Sequence, residues 1–280
     1  MDDSAVLLTP ALAQKRATDL RPTPDGSSFA FTRLRVTELG LCGLHSSSLS
    51  EVPFLTELDI SNNALTSLKG LEAARFLRRL IASSNRLARL LDFPPPAGSP
   101  AGSALILADL RHNLIRGALE NEADGECAGV AAHTQLEELY LDGNQLSSGL
   151  SGLAKLKCLR RLSMRANLLR CEAIEVGALP LASLTSLDLS ENQLTNLAEV
   201  LRKIAPPSHH PFQLRHLSLA HNPLDVELGH GVNASTVVCW GFEDVETTIH
   251  RAYLAQIQRA LPSLSSIDEV VLDVQPSFTH

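Results

Sequence analysis

His209, His210, His216, His221 and His230 form the densest run of metal-capable side chains in this sequence. A histidine metal site needs carboxylate or thiolate partners held in a fixed geometry. No regular spacing supplies them here, so the five read as surface histidines and no metal is expected. The sequence has no GxxxxGKS/T, no GxGxxG following a strand, no HExxH and no GxSxG. The spacings that mark phosphate cradles, zinc hydrolases and serine nucleophiles are therefore missing. No trio of nucleophile, base and orienting group can be assigned, and the expectation is a protein without catalytic residues, cofactor or small-molecule substrate. Cys42, Cys127, Cys158, Cys171 and Cys239 are odd in number, far apart and without a CxxC pair. They read as free thiols in a reducing compartment, with Cys158 and Cys171 as core residues.

The residue type that does recur at fixed spacing is asparagine. Leu55-x-x-Leu58-x-Ile60-x-x-Asn63-x-Leu65 returns around Asn85, Asn113, Asn144, Asn167, Asn192 and Asn222. The chemistry this offers is structural. A leucine alternation is a short strand with one apolar face. An asparagine just after it carries two donors and an acceptor, enough to satisfy backbone groups left unpaired where the chain turns. Stacked copies predict a buried asparagine ladder. A single repeat cannot bury its own apolar face, so several must stack. A degenerate first copy is read at Val36, Leu39 and Leu41, with Leu44 in place of the asparagine.

These residues resemble the leucine-rich-repeat superfamily over residues 36–224. The resemblance implies an α/β solenoid, a curved horseshoe with a parallel sheet on its concave face and short helices on the convex side. The linking segments Leu65-Thr-Ser-Leu68-Lys-Gly-Leu71 and Leu150-Ser-Gly-Leu153-Ala-Lys-Leu156 are similar to the SDS22-like subclass. Residues 1–35 are read as an N-terminal cap region, with a helix over residues 8–20 opened by Thr9-Pro10. Residues 225–280 are read as the C-terminal cap and tail. There a helix over residues 247–260 leads into Leu261-Pro-Ser-Leu264-Ser-Ser-Ile267-Asp268, which resembles the closing element of SDS22-like proteins. Three inserts, residues 92–104, 116–134 and 205–211, are rich in Pro, Gly, Ala or acid and read as loops off the concave face.

The repeat register predicts which side chains face the concave side. They include Glu57, Asp59, Arg79, Asp109, Arg111, Glu138, Tyr140, Asp142, Arg161, Arg165, Asp188 and Glu191, with Ile81 and Leu107 as apolar points. Arg and aromatic residues are common anchors of protein interfaces, so this face is the candidate partner-binding surface. The competing reading is a solvated face whose Asp and Arg side chains pair with each other.

The chain has 280 residues, 44% hydrophobic but only 4% aromatic, so leucine must build its core. With 24 basic against 31 acidic residues, net −7, it lacks the positive excess that a nucleic-acid backbone requires. Asp2 and Asp3 stand where a signal peptide carries base, and no apolar run reaches the ~20 residues of a membrane span. A cytoplasmic location is expected, and Asn233-Ala234-Ser235 then has no role as a glycosylation sequon. The order of regular and irregular repeats resembles ciliary, radial-spoke-associated leucine-rich-repeat proteins. That resemblance implies a scaffold among other subunits of a large assembly in the axoneme. A phosphatase-binding regulatory subunit and a splicing-complex adaptor are the alternatives.

Overall fold

The computed structural model describes residues 6–23, 26–45, 47–95, 104–116, 129–148, 150–175, 177, 179–205, 213–227, 233–235, 248–268 and 270–271. It begins with β1 (Leu7–Leu8), α1 (Pro10–Arg16), β2 (Ala17–Pro22), β3 (Phe29–Arg35) and β4 (Gly43–Leu44). The repeat strands follow: β5 (Glu57–Asp59), β6 (Arg79–Ile81), β7 (Leu107–Asp109), β8 (Glu138–Tyr140), β9 (Arg161–Ser163), β10 (Ser186–Asp188), then α2 (Leu197–Ile204) and β11 (His216–Ser218). The chain closes with β12 (Asp225–Glu227), β13 (Asn233–Ser235), α3 (Thr248–Ala260), β14 (Ser266–Ile267) and β15 (Val270–Val271).

Strands β3, β5 to β11 and β14 lie side by side in chain order and in parallel, within an 11-stranded sheet whose outer strands are β2 and β15. The register is strict, with Leu58, Leu80, Ala108, Leu139, Leu162, Leu187 and Leu217 in one row. Every member of that row is buried, and so is the row two residues on, from Ile60 to Leu219. The strands' inward faces and the convex segments thus share one elongated leucine core. The convex side is built mostly of single 3-10 turns, at Leu71–Ala73, Val130–Ala132, Ser151–Lys155 and Cys171–Ala173. Among the described convex segments between repeat strands, α2 alone extends further. Asn196 caps it by accepting from the Glu199 N–H at 2.8 Å, and its Leu197, Val200, Leu201 and Ile204 are buried. This is the leucine-rich-repeat horseshoe.

The first repeat differs from its expected register. Arg33, Leu34 and Arg35 pair with Glu57, Leu58 and Asp59, so the first strand lies inside residues 1–35. Val36 occupies the row of Ile60, and Leu39 occupies the asparagine position. Two bonds fix this: the Leu39 and Leu41 N–H groups donate to Oδ1 of Asn63 at 3.0 and 3.1 Å. The repeat is short of consensus leucines, and the sequence alignment slid five residues to find them. Leu39 and Leu41 are consequently not the strand positions that the spacing assigned.

The caps are helical at both ends, with additions. In α1, Thr9 accepts from the Leu12 N–H at 3.4 Å and Pro10 opens the helix. The helix stops at Arg16 rather than reaching residue 20, because residues 17–22 leave to form a hairpin with β3. At the other end, α3 buries Tyr253 and Ile257, and β14 joins the sheet beside β11. Most of the three inserts lies outside the described residues. The first residues of the 92–104 insert are not surface loop, however, since Asp92 and Phe93 are buried.

Candidate functional site

The asparagine rung is built the same way in every repeat. In the central one, Nδ2 of Asn144 donates to the Leu110 carbonyl of the preceding repeat at 3.0 Å and to its own Leu141 carbonyl at 2.9 Å. Its Oδ1 accepts from the Ile115 N–H at 3.1 Å. Asn85, Asn113, Asn167, Asn192 and Asn222 repeat this pattern, all buried. Asn63 is half-buried at the first rung and bonds Val36 and Ile60. The residue before each ladder position takes a left-handed backbone: Glu38, Asn62, Ser84, His112, Gly143, Ala166, Glu191 and His221, with φ from 53 to 66°. That kink ends each strand and turns the asparagine inward.

Fixed strands hold the concave side chains in columns. Arg33 meets Glu57 at 3.0 Å and Arg35 meets Asp59 at 3.1 Å, each across one strand gap. Arg111 grips Asp109 through Nε and Nη2 at 2.9 and 2.7 Å. The Arg111 guanidinium also lies 5.7 Å from the centre of the Tyr140 ring, within the range of a cation–π contact. The Tyr140 hydroxyl donates to Glu138 at 2.7 Å, and Arg161 reaches the same carboxylate at 3.2 Å. Asp142 accepts from the Ser163 hydroxyl and from the Arg165 N–H at 3.0 Å. Arg165 in turn pairs with Glu191 at 2.6 Å. Asp188 accepts from the Ser190 hydroxyl and N–H at 2.6 and 2.9 Å.

The electrostatics follow from this network. Burial raises the Asp142 carboxyl above its usual range, opposed by the hydrogen bonds from Ser163 and Arg165. Burial also raises the Tyr140 hydroxyl, helped by its bond to Glu138. The guanidinium groups of Arg111 and Arg165 are held more firmly charged, first by their hydrogen bonds to Asp109 and Glu191. Most of the arginines on this face therefore pair with its carboxylates. The exception among these arginines is Arg79, which is exposed and has no ion pair or side-chain hydrogen bond with a described residue.

The sequence histidines are not drawn together. His216 is exposed and its Nδ1 lies 2.7 Å from the Ser266 hydroxyl, and His221 is exposed at a turn. His209, His210 and His230 lie outside the described residues. Among the described residues no group of three or more His, Cys, Asp and Glu is placed to hold a metal, and no helix is long and apolar enough to cross a membrane. Cys171 is buried, while Cys158 is half-buried rather than in the core. Cys127 and Cys239 are outside the described residues.

Sequence reading missed one site. His133 is fully buried, with Nε2 3.2 Å from the Phe93 carbonyl and its ring edge-on to Phe93 at 4.9 Å. It fills the convex position that Val52, Ala74 and Leu156 occupy elsewhere. In each case that carbonyl accepts from the N–H three residues on. Desolvation lowers its pKa to about 4, so it is neutral. Its Nδ1 is buried without a partner among the described residues. The signal was a histidine in a column that is otherwise apolar, readable once the convex register is known.

The fold and its asparagine-closed repeats define the class: a leucine-rich-repeat protein. Comparison with known proteins agrees. Family models described as leucine-rich repeat match residues 53–73, 181–197 and 135–156. Mouse podocan is 31% identical over 209 residues, covering 73% of this chain and 27% of podocan, so the chain spans about a quarter of that relative. Among solved structures, an internalin (InlF) of Listeria monocytogenes superposes with a TM-score of 0.52 at 17% identity, over 86% of this chain and 62% of its own. A chain of the Drosophila Toll–Spätzle complex superposes with a TM-score of 0.51 at 20% identity, over 69% of this chain and 28% of its own. At these identities the two structures speak for the fold alone.

Proposed function

We propose that this protein is a non-catalytic scaffold that binds other proteins through its concave face. One observation carries the reading: the cluster of Arg111, Tyr140, Glu138 and Arg161 at mid-array, locked by a cation–π contact at 5.7 Å and hydrogen bonds at 2.7 and 3.2 Å. Tyr and Arg dominate the energetics of protein interfaces. Fixing their rotamers beforehand lowers the entropy lost on binding. The same pairing engages the carboxylates that a catalytic role would need as free acids or bases. The Toll–Spätzle structure is a case of this fold within a protein complex.

The finer reading is a subunit of a large assembly, of the SDS22-like type, in the ciliary or flagellar axoneme. It rests on the resemblance of the linking segments to the SDS22-like subclass and of the repeat order to ciliary leucine-rich-repeat proteins. It is tested by following a tagged copy in ciliated cells through detergent extraction. Retention along the axoneme is the expected result. A diffuse, fully extracted signal removes the axonemal reading and moves a phosphatase-regulatory role to the front.

A further inference from the structure

The charges on the concave face are not evenly neutralised. At its N-terminal end Glu57 is taken by Arg33 and Asp59 by Arg35, both from β3. On the far side Asp109 is taken by Arg111 of its own repeat. Arg79, in register between Glu57 and Leu107, is left without a described partner. Beside it Ile81 and Leu107 are half-buried on the same face.

The patch continues onto the hairpin. Along β3, Phe29 and Phe31 share the face of Arg33 and Arg35, because side chains alternate along a strand. Leu20 is paired with Phe31 on that same face. These three are exposed by 57, 67 and 38% for Leu20, Phe29 and Phe31, although folding normally covers such side chains. Strands spaced ~4.8 Å apart put β6 about 10 Å from β3, so an extended segment of a few residues can touch Phe31 and Arg79 together.

Resting on the concave-face reading above, we propose that this end of the face docks a partner segment carrying a carboxylate flanked by apolar side chains. The carboxylate meets Arg79, whose planar fork matches it with two parallel hydrogen bonds. The apolar residues cover Phe31, Phe29 and Leu20 on one side and Ile81 with Leu107 on the other. A polyphosphate backbone does not fit, because Arg79 is the one concave arginine without an ion pair among the described residues, and a run of phosphates needs several cations. The segment lies on the face rather than extending the sheet. β2, the outer strand, is blunted by Asp19 at φ 62° and by Pro22 at its end, devices that prevent strand addition.

The test is selection of random displayed peptides on the immobilised full-length chain, followed by anisotropy titration of the enriched sequences. The expected binders carry Asp or Glu beside Phe, Leu or Ile, and lose about tenfold or more in affinity on Arg79→Ala or Phe31→Ser. Arg79→Lys keeps the charge without the fork and should recover only part. Binders weakened by Tyr140→Ala but indifferent to Arg79→Ala would overturn this proposal and leave the concave-face reading standing. Binders indifferent to both, or no enrichment at all, would overturn both. A chain that runs as a dimer and is split by Arg79→Glu would assign the patch to a second copy and overturn the acidic-segment proposal.

Discussion

The hydroxyl of Tyr253 donates to Oδ2 of Asp268 at 2.5 Å. The other oxygen, Oδ1, accepts from the N–H groups of Leu219 and Ala220 at 2.6 and 2.8 Å and from the Ser218 hydroxyl at 3.1 Å. One carboxylate thus ties the C-terminal helix to the last full repeat. Burial, then the neighbouring Asp268 charge, raises the Tyr253 hydroxyl well above its ordinary pKa, so it stays a donor. A solenoid must close its end layer, and this is how α3 is fastened over it.

Tyr253→Phe should therefore cost about 2 kcal/mol, the range for a hydrogen bond to a charged group. Asp268→Ala should cost about 3 kcal/mol or more, since it also frees two backbone donors. Urea unfolding measures both. A Tyr253→Phe variant as stable as the parent would show that the cap is held by apolar packing alone.

Asn144→Leu removes four side-chain bonds and leaves the Ile115 N–H without its partner, while the Leu110 and Leu141 carbonyls keep only their bonds to Asn113 and Asn167. A loss of about 3 kcal/mol follows from the desolvation of unpaired groups. Calorimetry should show a melting temperature lower by several degrees. An unchanged melting point would mean that the ladder bonds are replaced at no cost.

His133 makes stability depend on pH. Its folded pKa, about 4, lies below the ordinary 6.5. The unfolded chain therefore binds the proton first, and stability is full above pH 6.5 and is lost as pH falls toward 4. The linkage amounts to about 3 kcal/mol across that window. His133→Leu, which installs the residue of the equivalent position in the Leu156 repeat, should flatten this part of the profile. Equal slopes for parent and variant between pH 6.5 and 4 would exclude His133 as the titrating group.

Gly143 is the one glycine in the left-handed column of the repeats. Ala166 adopts the same conformation one repeat later, so backbone preference does not account for the glycine. The neighbour does: a Cβ at Gly143 would sit 2.4 Å from Nδ1 of His112. Gly143→Ala should cost about 2 kcal/mol, and His112→Ala in the same chain should recover about half. Strict additivity in the double-mutant cycle would disprove the contact.

Replacing Tyr140 and Arg161 together by Ala should leave stability within about 1 kcal/mol, because the ion pair is solvent-facing. Capture of a concave-face partner should fall by about tenfold or more. Recovery of the same partners in the same amounts by the double variant and the parent would remove this cluster from the binding surface.

The repeat was legible because its physics is local. Leucine alternation and an asparagine at a fixed offset set strand, turn and ladder wherever they occur, so residues 55–224 could be aligned by spacing alone. Where consensus residues were missing, spacing misled. Leu34 and Val36 sit in the strand rows, yet the leucines at 39 and 41 attracted the alignment. Strand pairing with residues 57–59 and hydrogen bonding to Asn63 decide between them. The concave columns were likewise readable, since register carries side-chain direction from strand to strand.

What spacing could not give was which charges meet. Arg161 chooses Glu138, Arg165 chooses Glu191 and Arg111 chooses Asp109, by reach and rotamer across gaps of a few ångströms. Only the assembled sheet leaves Arg79 without a described partner. The position of His133 in the convex core, and the closure of Asp268 on Tyr253 and Leu219, join residues through layers whose stacking no local pattern encodes. The sequence by itself determined the repeating unit, because the leucine alternation and the asparagine offset are local to each copy. The tertiary structure decided the pairing of charges and the sealing of the ends, because these depend on distances that exist only once the repeats are stacked.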